Sequence, residues 1–86
     1  MSSQYALEIE NSAAKALQRL QRGEQIRVSK AIIALATDPR PAGCIKLTGA
    51  DAYRVRVGNY RIVYTVDDAV RVVAITRIGH RKEIYR

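Results

Sequence analysis

The sequence predicts an α+β fold, with an N-terminal helical hairpin packed on one face of a small, mostly antiparallel β-sheet, in one domain over residues 1–86. Three observations carry this expectation. Apolar residues recur at helical spacing between residues 13 and 35, they alternate at period two after Pro39 and Pro41, and Gly58-Asn59 sits between two alternating runs. Helical stripes followed by short strands, with no repeated strand–helix unit, describe a helical layer on a sheet.

Taken in order, residues 4–9 alternate as a short strand with Tyr5, Leu7 and Ile9 on one side. Asn11 or Ser12 suits the cap of a first helix, in which Ala13, Leu17 and Leu20 share a face, and Gly23 is expected to end it. A second helix is predicted over residues 24–36 with Val28, Ile32 and Leu35 as its buried stripe. The segment 37–41 stops it, because proline removes a backbone donor and biases the preceding residue out of the helical region. Strands follow at 44–47, 53–57, 60–66 and 70–78. A three-residue turn at Asp67-Asp68-Ala69 would set Val70, Val72, Ala74 and Ile78 on the apolar side and Arg71 and Arg77 on the other, with Val73 and Ile75 between them, and a two-residue turn would reverse this assignment.

The hairpin over residues 53–64, YRVRVGNYRIVY, fixes its own register. With Gly58-Asn59 as a two-residue loop, Val57 opposes Tyr60, Val55 opposes Ile62 and Tyr53 opposes Tyr64, all on one apolar face. Arg54, Arg56 and Arg61 then share the opposite face, with Arg61 directly across from Arg56. Like charges in that relation destabilise a sheet, so the arrangement suggests a site that receives an anion.

Composition agrees. The chain of 86 residues carries a formal charge of +7, and +5 of it falls from Tyr53 onward, where eight basic residues face Asp67, Asp68 and Glu83. An anionic partner is the first implication. Cys44 is the only cysteine, which excludes an intrachain disulfide, and no clustered ligand motif points to a metal or other cofactor. No apolar run approaches a membrane span, the N-terminus lacks the apolar core of a secretion signal, and a cytoplasmic location is expected.

Arginine forks bind phosphate oxygens, and aromatic rings stack on unpaired bases. With no carboxylate cluster for Mg²⁺, the substrate class that suits these residues is RNA, whose own 2′-hydroxyl can attack the adjacent phosphate. Arg54, Arg56 and Arg61 would stabilise the charge of the phosphorane. Arginine is a poor base, whereas His80, the one histidine, is a side chain suited to general-base work. Tyr85 suits stacking, or proton transfer if its pKa is depressed. Lys46, Arg77, Lys82 and Arg86 are candidates for further phosphate contacts.

Four segments resemble the RelE branch of the RelE/ParE superfamily of toxins: DPRP at 38–41, KLTG at 46–49, YRVRVGNYRIVY at 53–64 and IGHRKEIYR at 78–86. The resemblance spans nearly the whole chain. It implies two helices on a small sheet, a co-expressed RelB-like antitoxin as partner, and metal-independent cleavage of mRNA in the ribosomal A site. It further implies that Arg61 stabilises the scissile phosphate, that Arg81 protonates the leaving group and that Tyr85 stacks on a base. Arg54 and Arg56 stand where such toxins often carry lysines, one of them linked to base catalysis. That departure makes His80 the candidate base. The alternatives are a ParE-like poison of DNA gyrase without nuclease chemistry and a degenerate member that only binds RNA or an antitoxin.

Overall fold

The computed structural model describes residues 4–48 and 51–80. Its elements are β1 (Ala6–Ile9), α1 (Asn11–Arg19), α2 (Arg22–Leu35), β2 (Ile45–Lys46), β3 (Ala52–Val57), β4 (Tyr60–Asp67) and β5 (Val72–His80). The five strands form one sheet in the order β1-β5-β4-β3-β2. β1 runs parallel to β5 and every other neighbouring pair is antiparallel. The α+β architecture is therefore the expected one, with its single parallel pair joining the first strand to the last.

The helices cover one face of the sheet. Ala13 from α1 and Val28, Ile32 and Leu35 from α2 meet Ile62 and Tyr64 from β4 and Val73, Ile75 and Ile78 from β5. Burying a Val, Leu or Ile side chain contributes about 1.5–3 kcal/mol, and these nine residues make up the buried apolar core among the described residues. Tyr64 is fully buried and keeps its polar end satisfied, since its hydroxyl donates to the Pro39 carbonyl at 2.8 Å. Burial raises the Tyr64 pKa, so the phenol stays a donor at physiological pH.

The helix boundaries differ from the sequence expectation. Glu10, not Asn11 or Ser12, is the N-cap of α1, and no side chain caps it. The Glu10 N–H donates to Ile75 O and its carbonyl accepts from Ala14 N–H, so pairing with β5 decides where the strand becomes helix. Gly23 does not end α1 but lies in the first turn of α2. The break falls at Leu20, whose N–H donates to Leu17 O, and the Gln25 amide donates to that same carbonyl. These bonds satisfy the end of α1 without a glycine.

The hairpin has the predicted register: Val57 opposes Tyr60, Arg56 opposes Arg61, Val55 opposes Ile62 and Tyr53 opposes Tyr64. Gly58 takes φ 59°, the positive value a primed hairpin turn requires.

The next connection differs. The turn occupies residues 68–71, Asp67 Oδ1 accepts from the N–H groups of Ala69 and Val70, and Val70 is exposed. Val73 and Ile75 consequently enter the core, the reverse of their expected side. Ile78 joins them because a bulge intervenes: Tyr64 opposes Ile75 while Val63 opposes Arg77, leaving Thr76 as the extra residue. The Thr76 hydroxyl donates to Val63 O at 3.2 Å. One inserted residue resets the alternation, which is how Arg77 reaches the face opposite the core although Ile75 does not. Arg71 lies in the turn, with φ 59°, its carbonyl accepting from Ala6 N–H at 2.9 Å and its guanidinium over the Tyr5 ring.

Candidate functional site

The sheet face opposite the helices is built from rows of cross-strand partners. One row places Arg54, Val63 and Arg77 side by side, and the next places Arg56, Arg61 and Gly79. Ile45 extends the first row on β2. The like-charged Arg56–Arg61 pair that the sequence implies is thus present, and Arg77 joins the same face.

Arg54, Arg56 and Arg61 line a cleft of about 300 Å³ together with Ala42, Gly43, Ile45 and Val55. Arg61 is 4% exposed, the one buried charged residue among those described, and its Nη1 donates to Tyr60 O at 3.4 Å. A cation held out of water at the base of a cleft meets an incoming anion across a lower dielectric than a surface cation does. Arg56 is exposed and Arg54 half-buried, so the three present a graded approach from solvent to the cleft floor.

Two predicted residues stand on the other face. Lys46 opposes Tyr53, so the register sets it on the helix side rather than among the arginines. His80 opposes Tyr60, and the two rings meet edge to face with centroids 5.7 Å apart. They line a smaller cleft with Ala16, Arg19, Leu20, Ile78 and Gly79. The bulge explains this: after Thr76 the even-numbered positions of β5 turn toward the helices, so His80 follows Ile78. Arg81, Lys82, Tyr85 and Arg86 lie outside the described residues. Among the described residues no three His, Cys, Asp or Glu side chains group as a metal site. Nor, among them, is any helix long and apolar enough to cross a membrane.

Sequence reasoning missed the cleft's far wall, Ala42 and Gly43. The signal was present in Pro41-Ala42-Gly43-Cys44, because glycine at the third position of a four-residue turn supplies positive φ. Gly43 has φ 90° and the Cys44 N–H donates to Pro41 O at 3.0 Å.

Residues 7–85 match the sequence model of the family described as ParE toxin of type II toxin-antitoxin system, parDE. A 37-residue stretch is 43% identical to toxin RelG of Mycobacterium tuberculosis, covering 43% of this chain and 42% of that toxin, so the match spans less than half the length of either. The fold is similar to the toxin–antitoxin complex RelBE2 of M. tuberculosis, with TM-score 0.80 and 26% identity over 91% of this chain and 99% of the other. It is likewise similar to the RelE–RelB complex of Pyrococcus horikoshii, with TM-score 0.78 and 30% identity over 94% and 97% of the two chains. The isolated RelE toxin of E. coli gives TM-score 0.78 and 29% identity over 94% and 90%.

Proposed function

The chain belongs to the ParE toxin family of type II toxin–antitoxin systems, within the RelE/ParE superfamily, and from that premise we propose that it is a metal-independent, ribosome-dependent mRNA endonuclease. The observation that carries this reading is the convergence of Arg54, Arg56 and Arg61 on one cleft, including a cross-strand cation pair that fold stability alone disfavours. In this reading the cytoplasmic substrate is translated mRNA, presented in the ribosomal A site. A RelB-like antitoxin holds the toxin inactive, a partner supported by the toxin–antitoxin complexes among the similar structures.

The reaction is attack by the 2′-hydroxyl oxygen on the adjacent phosphorus. The new O–P bond closes a cyclic phosphate, the bond to the 5′-oxygen breaks, and one proton leaves the 2′-oxygen while another reaches the 5′-oxygen. Arg61, at the cleft floor, neutralises the charge that grows on the phosphorane, and Arg54 and Arg56 hold the flanking phosphate oxygens by charge-assisted hydrogen bonds. Arg77, in the row of Arg54, extends the track for the backbone. Lys82 and Arg86 would lengthen it, whereas Lys46 stands on the opposite face. Arg81 and Tyr85 supply the leaving-group proton and the base stack that the family resemblance implies. Guanidinium groups are too basic to take the 2′-proton efficiently, which points to His80. Its place beside Tyr60, across the sheet from Arg61, makes His80 a weaker candidate than the sequence suggests.

A second reading has one observation in its favour: the family model matched is that of ParE, and ParE-like toxins poison DNA gyrase by protein contact. Mapping mRNA 5′ ends in a cell-free translation system, with the wild type and an Arg61→Ala/Arg81→Ala variant, separates the two. Cuts inside translated codons that appear only with the wild type are expected. Intact mRNA with both proteins, joined by inhibition of gyrase supercoiling, would replace the nuclease reading with the ParE-like one.

A further inference from the structure

One wall of the arginine cleft is not part of any strand. Ala42 and Gly43, the central residues of the turn over 41–44, line it, and neither Arg40 nor Asp68 does. On its C-terminal side the turn runs into β2, which holds β3 through the Ile45–Arg54 and Lys46–Tyr53 pairs. On its N-terminal side it hangs from a clasp. The buried Tyr64 hydroxyl donates to Pro39 O at 2.8 Å. Arg40 Nε donates to the Tyr53 hydroxyl at 3.0 Å, and the same guanidinium lies over the Tyr53 ring, 5.2 Å from its centroid. Arg40 Nη2 and Nη1 then reach Asp68 Oδ2 at 2.9 Å and Oδ1 at 3.3 Å, and Tyr5 donates to Oδ1 at 2.6 Å.

Isolated surface ion pairs contribute little, but here one guanidinium meets a carboxylate with two nitrogens, a phenol oxygen with a third, and an aromatic face. Planarity and bidentate geometry fix Arg40 in orientation, and residue 42 is only two peptides away. The partner, Asp68, is anchored in the turn between β4 and β5, the two strands that carry Arg61 and Arg77. The clasp therefore ties this wall of the cleft to the end of β4, the strand that carries Arg61.

We propose that Arg40 and Asp68 are positioning residues for polyanion binding: their pairing sets how far the turn over 41–44 stands from Arg54, Arg56 and Arg61. This rests on the reading of the cleft as a nucleic-acid site. The consequence has an unusual sign. Asp68→Asn removes a negative charge from a basic protein, so overall electrostatics would tighten its hold on a polyanion. Loosening the clasp weakens it instead.

The test is fluorescence anisotropy with a labelled single-stranded DNA nonamer, which lacks the 2′-hydroxyl and so cannot be cleaved by this chemistry. Thermal unfolding of each variant accompanies it. Asp68→Asn is expected to bind about three- to tenfold more weakly than wild type, a loss of the size one or two positioning hydrogen bonds supply. Tyr5→Phe, which removes one donor to Asp68 with no change in charge, is expected to shift affinity in the same direction by less. Arg54→Ala is the control on the cleft. Unchanged or tighter binding by folded Asp68→Asn, alongside weakened Arg54→Ala, would overturn the clasp and leave the cleft reading standing. Undiminished binding by Arg54→Ala would remove the cleft reading and the clasp's role with it.

Discussion

The two faces of β3 and β4 are made of alternate residues of the same strands, yet they answer to different demands. Val55, Ile62 and Tyr64 point toward the helices, where Ile62 and Tyr64 are fully buried and Val55 packs against the core. Arg54, Arg56 and Arg61, one residue away in each case, converge on an open cleft and include two cations in direct cross-strand register. The first face lowers the free energy of the fold by removing apolar surface from water. The second raises it, and such sites persist where they bind or catalyse. A hairpin can thus carry stability and function on residues adjacent in sequence, because the pleat keeps their side chains apart.

Substitutions can break this contrast in a defined order. The largest effect falls on the helix-covered face: Ile62→Ala should lower the free energy of unfolding by about 2–5 kcal/mol, read from urea denaturation. For a small domain that approaches the whole margin of stability. Across the sheet, Arg61→Ala should leave translation-dependent cleavage reduced by about 100-fold or more, measured by primer extension, since a preorganised cation at the developing charge is lost. Gly43→Ala addresses the border between the faces. A Cβ there meets nothing within 4 Å, so the penalty comes from φ 90° alone and should be about 1 kcal/mol in unfolding, with weakened anion binding as the turn relaxes.

The smallest expected effect is a pH dependence. Hydrogen bonds from Arg40 and then Tyr5 hold the Asp68 carboxyl below its ordinary value. A depressed carboxyl adds stability that is complete above its unfolded pKa and disappears as pH falls through the folded one. Thermal unfolding below the ordinary carboxylate range should therefore show an extra acid limb in the wild type that Asp68→Asn lacks. Its size is limited because the pair is exposed to solvent.

Much of this was legible in the sequence. Gly58-Asn59 gave the hairpin register residue by residue, since a two-residue loop leaves no freedom in pairing. The stripe Val28, Ile32, Leu35 named the buried side of α2. What sequence could not supply was the turn over 68–71, which moves Val73 and Ile75 inward, and the bulge at Thr76, which keeps Arg77 with the arginines and turns His80 toward Tyr60. Period-two reasoning propagates one turn error along an entire strand. Gly23 misled for a related reason. Glycine is permitted in the first turn of a helix, and Gln25 closed α1 from a distance. The clasp around Arg40 was likewise hidden, because Tyr5, Arg40, Tyr53 and Asp68 come from four separate segments.

The central claim, that one face folds the protein while the other acts, is tested most directly by a single double variant, Arg54→Thr/Arg56→Thr, assayed for both properties. Threonine suits a strand and removes the like-charge pairing with Arg61. The account predicts urea unfolding at the wild-type midpoint or higher, together with loss of growth arrest and of codon-internal mRNA cuts. A variant that unfolds at much lower urea, or one that remains as toxic as the wild type, would contradict it.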